Sequence, residues 1–193
     1  MRHPTTRTAL IALSGLSSAA AAGVPSLTIS FHADATDGLL AGDTLHWTVS
    51  ATYTGVSASG YFGGFVGSFL ASDPEIGTAT NFVNNMSGQG VNPLGDGATV
   101  TDINIFNAAL LGTDDPSLGV FFEFDVVLGP GSYGTPLSFG VEGTASLFES
   151  DFIFDLPHEF TGAEINVVSD TYLFIPAPGS AGALVLLAAT GSR

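Results

Sequence analysis

Of the side chains in this sequence that could do chemistry, the 18 Asp and Glu residues come first. Two carboxylates held roughly 5–10 Å apart across a sugar ring can run glycoside hydrolysis. No pair here stands in a recognisable frame, and among so many acids some will lie close by chance. Three groups place hard oxygen ligands, of the kind Ca²⁺ takes, in turns or strand ends: Asp34 with Asp37 and Gly38, Asp114 with Asp115, and Asp151 with Asp155. None follows the spaced-aspartate loop of an EF-hand or a dockerin. Each is therefore read as a solvated acidic turn, and neither a metal nor a cofactor is expected.

Histidines supply the other acid–base candidates. His46 falls on the wet face of a strand beside Trp47 and is read as a surface histidine; His158, between Pro157 and Glu159, is read as a turn residue. Nothing in the spacing assembles either with a serine and an aspartate into a nucleophile triad. There is no Gly-x-Ser-x-Gly elbow, no His-Glu-x-x-His and no Gly-x-x-x-x-Gly-Lys. Gly129, Gly131 and Gly134 match the spacing of a dinucleotide fingerprint, but Thr135, Pro136 and another strand follow. No helix N-terminus is there to hold a pyrophosphate, so the glycines are assigned to a hairpin turn. The chain is read as a non-enzyme.

Charge narrows the partners. Against 18 acids stand three Arg and no Lys, a formal net charge of −15, and the three Arg are Arg2, Arg7 and Arg193, so residues 23–192 carry no Lys or Arg at all. Nucleic-acid binding depends on basic side chains displacing counterions. DNA and RNA are excluded as partners, and phosphate clamps and lysine Schiff bases with them. The acidity keeps an otherwise apolar protein soluble. With no Cys, the core must hold without disulfides.

The elements that must position these groups are strands. Glycine (25), proline (10) and phenylalanine (15) favour short strands and tight turns over long helices. Over residues 44–54, Leu45, Trp47, Val49, Ala51 and Tyr53 alternate with His46, Ser50 and four threonines, which is the rhythm of a strand with one buried and one wet face. In 118–128, Val120, Phe122, Phe124, Val126 and Leu128 share one face; Phe121 and Val127 imply that the other is partly covered. Leu137, Phe139 and Val141 alternate next, and further strands are expected at 27–32, 61–70, 99–106, 144–148, 151–156 and 163–168. Residues 81–97, rich in Asn and Gly, are expected to form a long surface loop. The fold class is all-β, an antiparallel sandwich of about nine strands.

The two ends read differently. Arg2 and Arg7, an apolar run over 8–16 and small residues over 17–22 have the order of a secretory signal peptide, with cleavage after Ala22 because Ala20 and Ala22 then fill the small pockets before the cut. At the other end, Pro176, Ala177, Pro178 and Gly179 form a stiff spacer ahead of an apolar stretch with high helix propensity that closes on Arg193. The apolar stretch falls short of the ~20 residues a membrane span needs, so it supports transient membrane contact. The chain divides into a signal peptide (1–22), a β-sandwich domain (23–174) and a tail (175–193).

That tail resembles the PEP-CTERM sorting signal of bacterial exosortase substrates, with Ala177 where the motif has Glu and a single Arg193 as its basic terminus. The resemblance implies an exosortase-type sorting protease as a partner, after signal peptidase and the secretion machinery. Within the body, Gly42, Asp43 and Thr44 at the head of a long alternating strand, and the run from Phe124 through Gly129, Pro130 and Gly131, resemble cohesin-like and carbohydrate-binding-like sandwiches of extracellular bacterial proteins. This implies a binding or display module. The expectation is an exported cell-envelope or extracellular matrix-associated protein. The alternative is a polysaccharide-binding module with Tyr61 and Phe62 as an exposed platform; a two-carboxylate glycoside hydrolase comes third.

Overall fold

The computed structural model describes residues 24–35, 38–55, 60–107, 119–130, 134–148 and 157–174. Ala20, Ala22, Pro176, Ala177, Pro178, Gly179 and Arg193 lie outside the described residues, as do Asp37, Asp114, Asp115 and the strand expected at 151–156.

Among the described residues the chain forms thirteen strands: β1 (Ser26–Ala33), β2 (Thr44–Thr54), β3 (Tyr61–Ala71), β4 (Gly77–Asn84), β5 (Gly88–Gln89), β6 (Leu94–Asp96), β7 (Thr99–Phe106), β8 (Val120–Leu128), β9 (Pro136–Leu137), β10 (Phe139–Phe148), β11 (His158–Thr161), β12 (Asn166–Ser169) and β13 (Tyr172–Leu173). A single 3₁₀ turn, Pro74–Ile76, precedes β4 and is capped by the Asp73 carboxylate on the Glu75 amide. Sheet one has the order β12-β1-β2-β8-β4, antiparallel except that β12 runs parallel to β1. Sheet two has the order β11-β10-β3-β7-β5, with β6 also on β7, and β9 and β13 make a small pair.

Alternation makes β2 what it is. Leu45, Trp47 and Val49 are fully buried while Thr44, His46, Thr48 and Ser50 face out. In β8 the register slips where Val49 pairs with Phe122 but Ser50 with Val120. Phe121 is the extra residue of this bulge, and so both Phe121 and Phe122 are buried. The inner faces of the two sheets meet around Phe69, whose ring lies 5.0 Å from that of Phe31, 5.1 Å from Phe65 and 5.6 Å from Phe122. Trp47 stands edge-on to Phe139 at 4.8 Å, joining β2 of one sheet to β10 of the other. These aromatic contacts bind the layers, each ring adding about 1.5–3 kcal/mol by burial.

Four expectations need correcting. Residues 81–97 are not one loop: β4 continues to Asn84, and β5 and β6 follow. The alternation that would announce a strand is broken because Asn81 takes a left-handed backbone (φ 51°) where the register shifts between Thr80 and Val83. His158 belongs to β11, paired with Leu147, and is not in a turn. β8 pairs with neither β9 nor β10, so Gly129, Gly131 and Gly134 do not close a hairpin between consecutive strands; residues 131–133 lie outside the described residues. The expected strands at 137–141 and 144–148 lie on one chain path, with β10 covering Phe139–Phe148.

Candidate functional site

The outer face of sheet one is polar across its β1–β2 region, where every outward position is Ser, Thr or His, while Val83, Val127 and Val168 are exposed on β4, β8 and β12. Ser26, Thr28, Ser30 and His32 of β1 lie opposite Thr54, Thr52, Ser50 and Thr48 of β2. His32 pairs with Asp170, which follows β12.

One step along, His46 of β2 faces β8. Its Nδ1 lies 2.7 Å from Asp125 Oδ1 and its Nε2 3.1 Å from Glu123 Oε2. The other carboxylate oxygens are taken from the β4 side: Asn81 Nδ2 donates to Asp125 Oδ2 at 2.8 Å, and Asn85 Nδ2 to Glu123 Oε1 at 2.6 Å. The hydrogen bond to Asp125, opposed by partial burial and reinforced by Glu123, raises the His46 pKa above 6.5. His46 is thus the centre of a charged network and not an isolated surface histidine. Both nitrogens of His46 face a carboxylate oxygen, and each of the four carboxylate oxygens accepts one hydrogen bond, so the imidazole itself cannot act on a substrate without first breaking a bond. Alternation placed His46 on the wet face, but its partners stayed hidden because Glu123 and Asp125 lie 77 and 79 residues along the chain, on a strand whose pairing with β2 the local pattern does not announce.

Asp34, the described member of the expected Ca²⁺-type groups with a place near this network, uses Oδ1 to accept from the His46 amide at 3.2 Å. Among the described residues no group of three or more His, Asp or Glu is placed to hold a metal ion.

The outer face of sheet two has a different character. Val66, Leu70, Val91, Leu94 and Phe106 are exposed there, Val66 and Leu94 by more than half. Val66, Ser68, Val91, Asp102 and Asn104 line an open groove of about 250 Å³. Asp102, Glu142 and Glu159 are exposed around the apolar centre. Small residues make the face accessible: the Phe106 ring lies directly over Gly88, where a Cβ would meet ring carbon Cε2 at 2.1 Å.

The aromatic platform expected at Tyr61 and Phe62 is absent from the surface. Tyr61 is 2% and Phe62 4% exposed, with Tyr61 stacked on Phe148 at 4.9 Å and Phe62 against Phe121 at 4.8 Å. Phe62 joins the core, whereas Tyr61 lies outside the core cluster and is covered on its own side, where Phe148 stacks on it.

No protein-family model matches the sequence, and no curated protein matches it. Solved structures do match the fold. The seventh ScaB type I cohesin of Pseudobacteroides cellulosolvens superposes with a TM-score of 0.52 over 79% of this chain and 95% of that one, at 11% identity. The sixth cohesin of scaffoldin B from Acetivibrio cellulolyticus, solved in complex with a Cel5 dockerin, gives 0.51 over 77% and 99%, at 14% identity. The fold is that of a cohesin-like β-sandwich. Among its described residues no helix is long and apolar enough to cross a membrane, a statement that leaves strands aside.

Proposed function

We propose that this cohesin-like chain is an exported, non-enzymatic binding module of the cell envelope or extracellular matrix, docking a protein partner on the outer face of sheet two. The observation that carries this is the apolar cluster beside the groove: Val66, Leu70, Val91, Leu94 and Phe106 are exposed on sheet two, whereas on the other face the β1–β2 region offers only hydroxyls and histidines and the exposed Val83, Val127 and Val168 are spread over β4, β8 and β12. A cluster of exposed apolar residues rimmed by polar ones is what an interaction site needs. The acidic rim at Asp102, Glu142 and Glu159 calls for a partner that combines apolar anchors with Lys or Arg. That the Acetivibrio module was solved bound to a dockerin supports a protein as the ligand class.

The ends supply the address. Export through the 1–22 leader, with signal peptidase acting after Ala22, precedes recognition of Pro176, Ala177, Pro178 and Gly179 by an exosortase-type protease, with Arg193 marking the end of a tail that contacts the membrane transiently. The loss of the Tyr61–Phe62 platform removes the main support for the polysaccharide-binding alternative.

Two measurements test the proposal. Val66→Asp and Leu94→Asp should abolish capture of a basic partner from the extracellular fraction, while Thr28→Asp on sheet one leaves it intact; equal effects from both faces would overturn the docking assignment. Mass spectrometry of the exported protein should find both termini trimmed. Recovery of most copies ending at Arg193 would overturn the sorting assignment.

A further inference from the structure

His46 stands between two groups that can only accept. Asp125 Oδ1 faces its Nδ1 and Glu123 Oε2 its Nε2, and each carboxylate already accepts a hydrogen bond from an asparagine on its far oxygen. A neutral imidazole has one N–H donor and one acceptor nitrogen; only the imidazolium donates from both. The geometry is therefore that of protonated His46.

We infer that His46 is a proton-operated clasp on the connection between β4 and β5, adding through Glu123 and Asn85 to the hold that the Asn85 amide on the Phe121 carbonyl and the β5–β7 pairing give residues 85–91. When the proton leaves, one ring nitrogen presents a lone pair to a carboxylate. The shorter contact is to Asp125, so the remaining N–H stays on Nδ1 and Glu123 is released, with Asn85 following it. Asn85 begins the segment that leaves sheet one. Its continuation is pinned by Asn84 Nδ2 to the Gly88 carbonyl at 3.0 Å and by the Gly90 amide to the Asn104 carbonyl at 2.8 Å, and it delivers Val91 to the groove of sheet two. The clasp thus ties the polar face of one sheet to a wall of the groove on the other. Its bearing on partner capture rests on the docking role proposed above; the clasp itself does not.

The surroundings favour the charged form. Glu123 and Asp125 face His46 from β8, and Asp34 and His32 from the β1 side, where Asp170 takes His32. β4 contributes only the neutral Thr80 and Asn81. With no Lys or Arg between residues 23 and 192, the domain holds no permanent cation that could replace protonated His46. Its raised pKa gives the sign: the stabilisation is complete below the unfolded value of ~6.5 and is lost as pH rises through the folded value.

Nitrogen-15 NMR of the imidazole in the exported protein, titrated from pH 5.5 to 9 without any partner, reads the clasp directly. Both ring nitrogens of His46 should be protonated at pH 6.5, with a midpoint above that of free histidine. Over the same range, amide hydrogen exchange at Asn85, Gly88 and Gly90, corrected for intrinsic rates, should speed up about tenfold, while Phe65 and Ala145 show no step. His46→Gln should remove the step and leave 85–90 in the fast-exchanging state throughout. A singly protonated ring at pH 6.5, a midpoint at or below 6.5, or unchanged protection at 85–90 overturns the inference. Because no partner is present, failure here is separate from failure of the docking assignment.

Discussion

Asn81 donates from Nδ2 to Asp125 Oδ2 at 2.8 Å while holding its own backbone at φ 51°. The two facts are linked, since the left-handed turn at the register shift is what swings this side chain across onto β8. Asn tolerates that conformation better than most residues. Asn81→Gly keeps the backbone and loses the hydrogen bond, for an expected cost near 1 kcal/mol. Asn81→Val adds strain and should cost roughly 2–4 kcal/mol in all. Urea midpoints should fall in the order native, Gly, Val; a valine variant as stable as the glycine one would sink the assignment of strain.

Gly67 of β3 and Gly143 of β10 face each other across sheet two. Their φ angles are 156° and 143°, and a Cβ on Gly67 would meet the Glu142 carbonyl oxygen at 2.1 Å, backbone that cannot swing aside. Gly67→Ala should cost about 3 kcal/mol, which for a domain of this size lowers Tm by roughly 6–12 °C. Gly119, where a Cβ would meet nothing within 4 Å among the described residues, serves as the control: its alanine variant should melt within about 2 °C of the native protein. Differential scanning calorimetry of the two compares them directly.

Much of this architecture was legible because burial imposes period two. The run from Leu45 to Ala51 announced β2, and the Val120–Leu128 run announced β8 together with a partly covered second face. What stayed hidden were departures from that rhythm. Phe121 and Phe122 are both buried because a bulge turns them the same way, and β4 looked like a loop because Asn81 interrupts its alternation. The His46 network was invisible because Glu123 and Asp125 come from a strand 77 and 79 residues away and Asn81 reaches Asp125 only through that interruption. Tyr61 and Phe62 show the converse: adjacent aromatics suggest one ring in and one out, yet both are covered.

Phe69 and Val66 lie three residues apart on β3 and separate core from surface. Phe69 is fully buried among the rings of Phe31, Phe65, Phe121, Phe122 and Phe124, whereas Val66 is 54% exposed. Phe69→Ala should cost about 3–5 kcal/mol. Val66→Ala, on the outer face of sheet two, should change stability by less than about 0.5 kcal/mol. The single tryptophan reports both by fluorescence, as Trp47 is completely enclosed and its emission should shift red only on unfolding. Comparable losses from the two variants would mean that β3 is turned over relative to the fold described.

Acid titration addresses Asp125 from the opposite side to His46. Partial burial works against its charged form, but hydrogen bonds from Asn81 and His46 and the His46 charge outweigh it, leaving its pKa below the ordinary 3.8. A carboxylate depressed in the folded state contributes stability that is present above its unfolded pKa and disappears as pH falls through the folded one. Asp125→Asn removes that contribution and weakens the hold on His46. The native protein should therefore exceed the variant in urea midpoint by a constant margin between pH 5 and 6. Below about pH 3.8 the margin should shrink, approaching zero near pH 2, because the native carboxyl is then protonated and behaves much as the amide does. A margin that widens in acid would show that Asp125 is destabilising when charged, and the network would then be a desolvated pair held in place by the sheet.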